Sequence, residues 1–80
     1  MRSLKMTQKI DTISAIGIIR KYSISYQTVN YYTNLGLLRV VENKGNKRLY
    51  DKEDVHRRLE KIHELKRRGF SLRLIRDELL

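Results

Sequence analysis

Ser25-Tyr26-Gln27-Thr28-Val29-Asn30-Tyr31-Tyr32-Thr33-Asn34-Leu35-Gly36 is the stretch whose reading decides the fold. Ser25 is a good helix N-cap and Gly36 the residue type that most readily ends a helix, so the spacing predicts a helix over about Tyr26 to Leu35. At 100° per residue, Thr28, Val29, Tyr32 and Leu35 fall on one side, and Tyr26, Gln27, Asn30, Tyr31 and Asn34 on the other. The second side carries amides and phenols. Amides pair bidentately with adenine edges and phenol hydroxyls donate to phosphate oxygens, so this face has the chemistry of a major-groove reader. A plain solvated helix face has the same amphipathicity, and the flanking segments must decide between the two.

Upstream, Ile10-Asp11-Thr12-Ile13-Ser14 reads as a short strand or extended entry ending at a capping residue. Ala15, Ile18, Ile19 and Tyr22 follow at helical spacing, which predicts a first helix over about Ala15 to Tyr22. Ser23-Ile24 leaves only a tight connection before Ser25, the spacing of a helix-turn-helix. Downstream of Gly36, Leu37-Leu38-Arg39-Val40-Val41 reads as a strand, Asn43-Lys44-Gly45-Asn46 as a turn and Lys47-Arg48-Leu49-Tyr50 as the returning strand. This hairpin carries Lys44, Lys47 and Arg48 with Tyr50 beside them, a basic ribbon suited to a phosphate backbone. A charged edge that merely blocks aggregation is the plainer explanation of the same residues.

Asp51 precedes a long helical pattern from Lys52, with Asp54 in its first turn and Lys66-Arg67-Arg68 before Gly69, so both ends suit the helix dipole. Val55, Leu59, Ile62 and Leu65 or Lys66 recur at spacing three and four. The i,i+4 pairs Glu53 with Arg57, Asp54 with Arg58 and Glu64 with Arg68 read as a salt-laced solvent face. Ser71 caps a last helix with Leu72, Ile75 and Leu79 on one face and Phe70 at its entry.

Composition bounds the function. Eighty residues make one small domain, and 18 Lys+Arg against 9 Asp+Glu give a formal charge of +9, which favours polyanionic partners, nucleic acid first. Cysteine is absent, which removes disulfides and thiolate metal sites. Apolar runs such as Ile16-Gly17-Ile18-Ile19 fall far short of the roughly 20 residues that span a bilayer, and no membrane partner is expected. Residues 1–9 are polar, basic and without period, and read as a flexible tail ahead of a domain over residues 10–80.

Taken in order, Ser25-Tyr26-Gln27-Thr28-Val29-Asn30-Tyr31-Tyr32, Leu35-Gly36-Leu37-Leu38, Gly45-Asn46-Lys47-Arg48-Leu49-Tyr50-Asp51 with Glu53-Asp54-Val55, and Gly69-Phe70-Ser71-Leu72 resemble the N-terminal winged-helix DNA-binding domain of MerR-type bacterial transcription regulators. The resemblance implies a mainly α fold with a small β hairpin: a winged helix-turn-helix followed by two additional helices. It implies a second helix in the major groove, a wing on the adjacent backbone, and a regulator of transcription located in the cytoplasm with the nucleoid. Thr28 and Tyr31 match groove-facing or phosphate-contacting positions, Arg48 and Tyr50 match the wing motif, and Tyr32 looks like core. The expected DNA-binding set is therefore Tyr26, Gln27, Thr28, Asn30, Tyr31, Lys44, Lys47, Arg48 and Tyr50.

Three departures stand out. Asn30 and Thr33 occupy places where the family usually has Arg and Glu. Val40-Val41 replaces a common Pro. The residues given end at Leu80, ahead of the dimerising helix and effector domain that the resemblance would lead one to expect. The resemblance thus implies either an excised DNA-binding domain or a sensorless architectural or excision factor, with double-stranded DNA and a second copy on DNA as expected partners and no effector site expected within these residues.

The rival readings are weaker. His56, Glu60 and His63 share a helical stripe but have no evident fourth ligand, so no metal and no cofactor is expected. No paired nucleophile and base or glycine-rich phosphate loop is present to support an enzyme. A basic protein-interaction module in chromosome organisation is the alternative from another class. A membrane surface would want basic residues flanking an apolar helix face, and RNA would want aromatics on an open sheet.

Overall fold

Two serines start the first two helices. In a computed structural model, which describes residues 11–79, β1 (Thr12–Ser14) leads directly into α1 (Ala15–Tyr22), and the Ser14 hydroxyl accepts from the Gly17 amide at 3.0 Å. Ser25 does the same for α2 (Tyr26–Asn34), accepting from the Thr28 amide at 3.0 Å. Each bond satisfies a donor that the first turn would otherwise leave open. The expected bounds of α1 hold, and α2 ends one residue before the expected Leu35. The tail expected over residues 1–9, and Ile10, lie outside the described residues.

The end of α2 corrects one expectation. Gly36 adopts a φ of +84°, and the amides of Gly36 and Leu37 return to the carbonyls of Thr33 and Tyr32 at 3.1 and 2.8 Å. This is a Schellman closure, which needs the left-handed conformation glycine adopts without a Cβ penalty. Leu37 and Leu38, expected to open a strand, are instead buried in the core, with both amides directed at the Tyr32 carbonyl. The strand begins later, as β2 (Val40–Lys44), because the Leu37 and Leu38 amides are already committed to helix closure.

β2 pairs antiparallel with β3 (Lys47–Asp51) through the two-residue turn Gly45-Asn46, where Gly45 supplies a φ of +62°. The wing is broader than a hairpin. β1 pairs with the other edge of β3, Ile13 opposite Tyr50, giving a three-stranded sheet in the order β1-β3-β2. A bulge at Val41 separates Val40, opposite Tyr50, from Glu42, opposite Leu49.

α3 (Lys52–Arg67) starts at Asp51, whose carboxylate accepts from the amides of Glu53 and Asp54. It closes at Gly69 with the Phe70 amide on the Leu65 carbonyl. α4 (Leu72–Leu79) follows, with the Leu74 amide on the Ser71 hydroxyl. One core joins all of these elements: Ile18, Val29, Tyr32, Leu37, Leu38, Tyr50, Val55, Ile62, Leu65 and Ile75 are buried together. Each such large side chain contributes about 1.5–3 kcal/mol, so the loss of any one is felt in a domain of this size.

The solvent-face reading of α3 needs revision. Arg57 pairs with Asp54 rather than with the expected Glu53, and Glu64 and Arg68 stand at 4.0 Å. Asp54 and Arg58 do pair, at 3.1 Å, but both side chains are only 13% exposed. The Arg58 guanidinium also donates to the carbonyls of Gly36 and Leu37 at 3.4 and 3.2 Å. Arg58 is thus a clamp between α3 and the end of α2, donating to two backbone carbonyls just past the helix closure.

Candidate nucleic-acid interface

The outward side of α2 is the predicted one. Tyr26 and Tyr31 are 55% and 53% exposed, Gln27 and Asn34 are exposed, and Asn30 is half-buried, while Val29 and Tyr32 are in the core. Around the helix these residues spread from an edge holding Tyr26 and Asn30 to a flank holding Gln27, Asn34 and Tyr31. The Tyr26 and Asn30 edge meets the wing. Thr28 lies at the N-terminal turn, half-buried, with its hydroxyl 2.9 Å from that of Ser25.

β3 brings the wing to this edge through strand alternation. Arg48 and Tyr50 project to one face, Lys47 and Leu49 to the other. The Arg48 guanidinium donates to the Asn30 side-chain oxygen and lies 6.0 Å from the ring centroids of both Tyr26 and Tyr50. Helix and wing are therefore joined through Arg48 into one continuous surface. Lys44 and Lys47 are direct cross-strand partners at the tip and exposed. By alternation they take the opposite face from Arg48, so the three cations expected as one ribbon form two groups. Like charges directly opposite each other destabilise a hairpin, and an anion between them would relieve that repulsion.

Tyr50 is a correction. It was expected to contact DNA, but it is fully buried and is the largest fully buried side chain among the described residues. Its hydroxyl lies 2.9 Å from Thr33 Oγ1, and Thr33 Oγ1 donates to the Val29 carbonyl at 2.7 Å. Because the single Thr33 hydroxyl hydrogen is committed to Val29, the Tyr50 hydroxyl is the donor to Thr33. Tyr50 supports the surface from beneath, holding β3 to α2 and giving Arg48 an aromatic wall.

Sequence reasoning missed Thr33 and Arg58 as supports, since their partners are 17 and 21–22 residues away and no local spacing announces them. Asn34 shares the outward face and belongs with Gln27 and Tyr31, as the helical period already shows.

On the far side, an open groove of about 930 Å³ between α1 and α3 is lined by Tyr22, Ile24, His56, Leu59, Ile62 and His63 among others. His56 Nε2 stands 3.1 Å from the Glu60 carboxylate and His56 Nδ1 3.1 Å from the Tyr22 hydroxyl. Burial, reinforced by the Glu60 charge, raises the Tyr22 pKa from its ordinary value. His63 does not join this chain of bonds, and among the described residues no three metal-binding side chains come together. No helix among them is long and apolar enough to cross a membrane.

Comparison with known proteins follows the same outline. Residues 17–80 match the family described as MerR HTH family regulatory protein. The chain belongs to the MerR family. Over 73 residues it is 37% identical to the HTH-type transcriptional regulator CueR of Bacillus subtilis (strain 168), an alignment covering 91% of this chain and 47% of that protein. The chain thus spans about half the length of this curated relative. No solved structure gives a significant match.

Within the MerR frame the two departures in α2 acquire a physical account. Asn30 and Thr33, standing where Arg and Glu are usual, make no ion pair with each other; each turns to β3 instead, Asn30 to Arg48 and Thr33 to Tyr50. Both side chains thereby join α2 to the wing.

Proposed function

We propose that this MerR-family domain binds double-stranded DNA sequence-specifically and regulates transcription in the cytoplasm, with α2 in the major groove and the wing along the adjacent backbone. The observation that carries this reading is the Arg48 junction, which makes the amide and phenol face of α2 continuous with the Arg48 face of the hairpin, while Lys44 and Lys47 lie on its other face. A groove-filling helix positions base-reading side chains, and a neighbouring cationic strand supplies the phosphate contacts that hold register. The net charge of +9 adds a long-range attraction to the polyanion. A module this small makes few contacts, so tight binding calls for two copies on half-sites about one helical turn apart.

Selection from a pool of random duplexes, with and without competitor DNA, tests the proposal. Enrichment of a two-fold symmetric site is the expected outcome. Enrichment of tandem repeats would indicate an architectural filament instead, and no enrichment in either condition would refute sequence-specific binding.

A further inference from the structure

We infer that Asn30 and Gln27 read opposite hydrogen-bonding chemistries: Arg48 fixes the Asn30 amide so that it presents only donors and selects an acceptor-only base edge, guanine above all, while Gln27 keeps the two-atom adenine readout. The inference rests on the DNA-binding reading above and refines it to base type.

A guanidinium has five N–H donors and no acceptor, so the Asn30 atom facing it is necessarily the oxygen, whichever way the amide is drawn. Arg48 is itself positioned. It sits near the Tyr26 and Tyr50 rings, and Tyr50 is immobilised by full burial and by its bond to Thr33. The oxygen of Asn30 is thus drawn toward β3, which leaves the Nδ2 hydrogens and the remaining Arg48 N–H groups as a contiguous donor array. Adenine presents an acceptor and an amino donor in the major groove, and that amino group would be brought against a cation. Guanine presents two acceptors, N7 and O6, and suits the array. Gln27, one turn earlier, is exposed, and its side chain makes no hydrogen bond among the described residues. Its amide keeps both the donor and the acceptor that an adenine edge requires. In this arrangement Arg48 both orients the Asn30 amide and supplies donors to the same base edge, besides linking helix and wing.

The test begins from duplexes selected by the wild-type chain and permutes each base pair in turn, with binding read by fluorescence anisotropy. Asn30→Ala is expected to lose roughly tenfold at one guanine position and little elsewhere, and Gln27→Ala to lose a similar factor at an adenine position. Arg48→Ala frees the Asn30 oxygen, so the same guanine position is expected to accept adenine. Thermal melting followed by circular dichroism establishes that each variant is folded. An arm that needs no folded variant replaces the guanine with 7-deazaguanine, which lacks the N7 acceptor; wild-type binding is expected to fall roughly tenfold.

The proposal is overturned if the base lost with Asn30→Ala is adenine, or if 7-deazaguanine has no effect. It is also overturned if Arg48→Ala weakens every sequence equally and leaves the guanine preference intact. A wild-type chain that shows no base preference at any position refutes the sequence-specific reading itself, a different result from a preference of the wrong kind.

Discussion

Two arginines, Arg48 on the wing and Arg58 on α3, both cross from one element to α2 or its end, yet only one of them is neutralised. Arg58 meets a carboxylate, Asp54, and two backbone carbonyls, in a place where both charged side chains are mostly covered. Its charge is spent inside the protein. Arg48 meets a neutral amide and the faces of two tyrosines, with no carboxylate among its partners in the described residues. Its positive charge is left uncompensated beside the exposed face of α2. The contrast separates a cation that closes the fold from one that keeps a surface electropositive, although both lie among residues of similar sequence character.

Four substitutions break or sharpen this contrast. The largest effect is expected where wing and core are one: Tyr50→Ala removes a fully buried ring and should cost about 4 kcal/mol, measured by urea or thermal unfolding. A loss below about 1 kcal/mol would show that the wing root is not part of the core. Next, Asp54→Ala should cost about 2 kcal/mol, because Arg58 then stays mostly covered without its counter-charge. Arg48→Ala should cost under about 1 kcal/mol of stability, since a partly exposed cation gives up only an amide bond and two weak ring contacts. If Arg48→Ala and Asp54→Ala destabilise equally, the distinction between the two arginines fails. The smallest change in stability is expected for Lys44→Ala, which removes a like-charge pair with Lys47 and should raise stability by a few tenths of a kcal/mol. The same substitution should weaken binding to all duplexes and flatten the log K against log salt slope by about 1, whatever the sequence.

Much of the helical framework was legible because its signals are local. Ser14, Ser25, Asp51 and Ser71 each cap the helix that follows, and the bounds expected for α1 agree with the structure. The strands were less legible. Leu37 and Leu38 are β-compatible apolar residues, but a helix closure claimed their amides first. β1 was readable as extended, yet its pairing with β3 depends on a partner about 37 residues away that no local propensity identifies.

The outward residues Tyr26, Gln27, Tyr31 and Asn34 followed from the helical period alone. Tyr50 did not follow from pattern, because Leu49 and Tyr50 are adjacent apolar residues on one strand and only one of them can face the core. The family motif drew attention to Tyr50, and packing assigned it a place beneath the surface rather than on it. Arg58 was hidden for the converse reason: its i,i+4 partner is real, but the carbonyls that bury it come from a different part of the chain.

The bulge at Val41 works as a phase adjuster for the hairpin. Side chains alternate strictly along β3, so a shift of one residue in its pairing would swap Tyr50 for Leu49 in the interior and swing the guanidinium of Arg48 into solvent. With the extra residue absorbed at Val41 and the strand root gripped by β1, residue pairs can be added to or removed from the tip without disturbing that phase. The reach of the wing is therefore set separately from the alignment of its root.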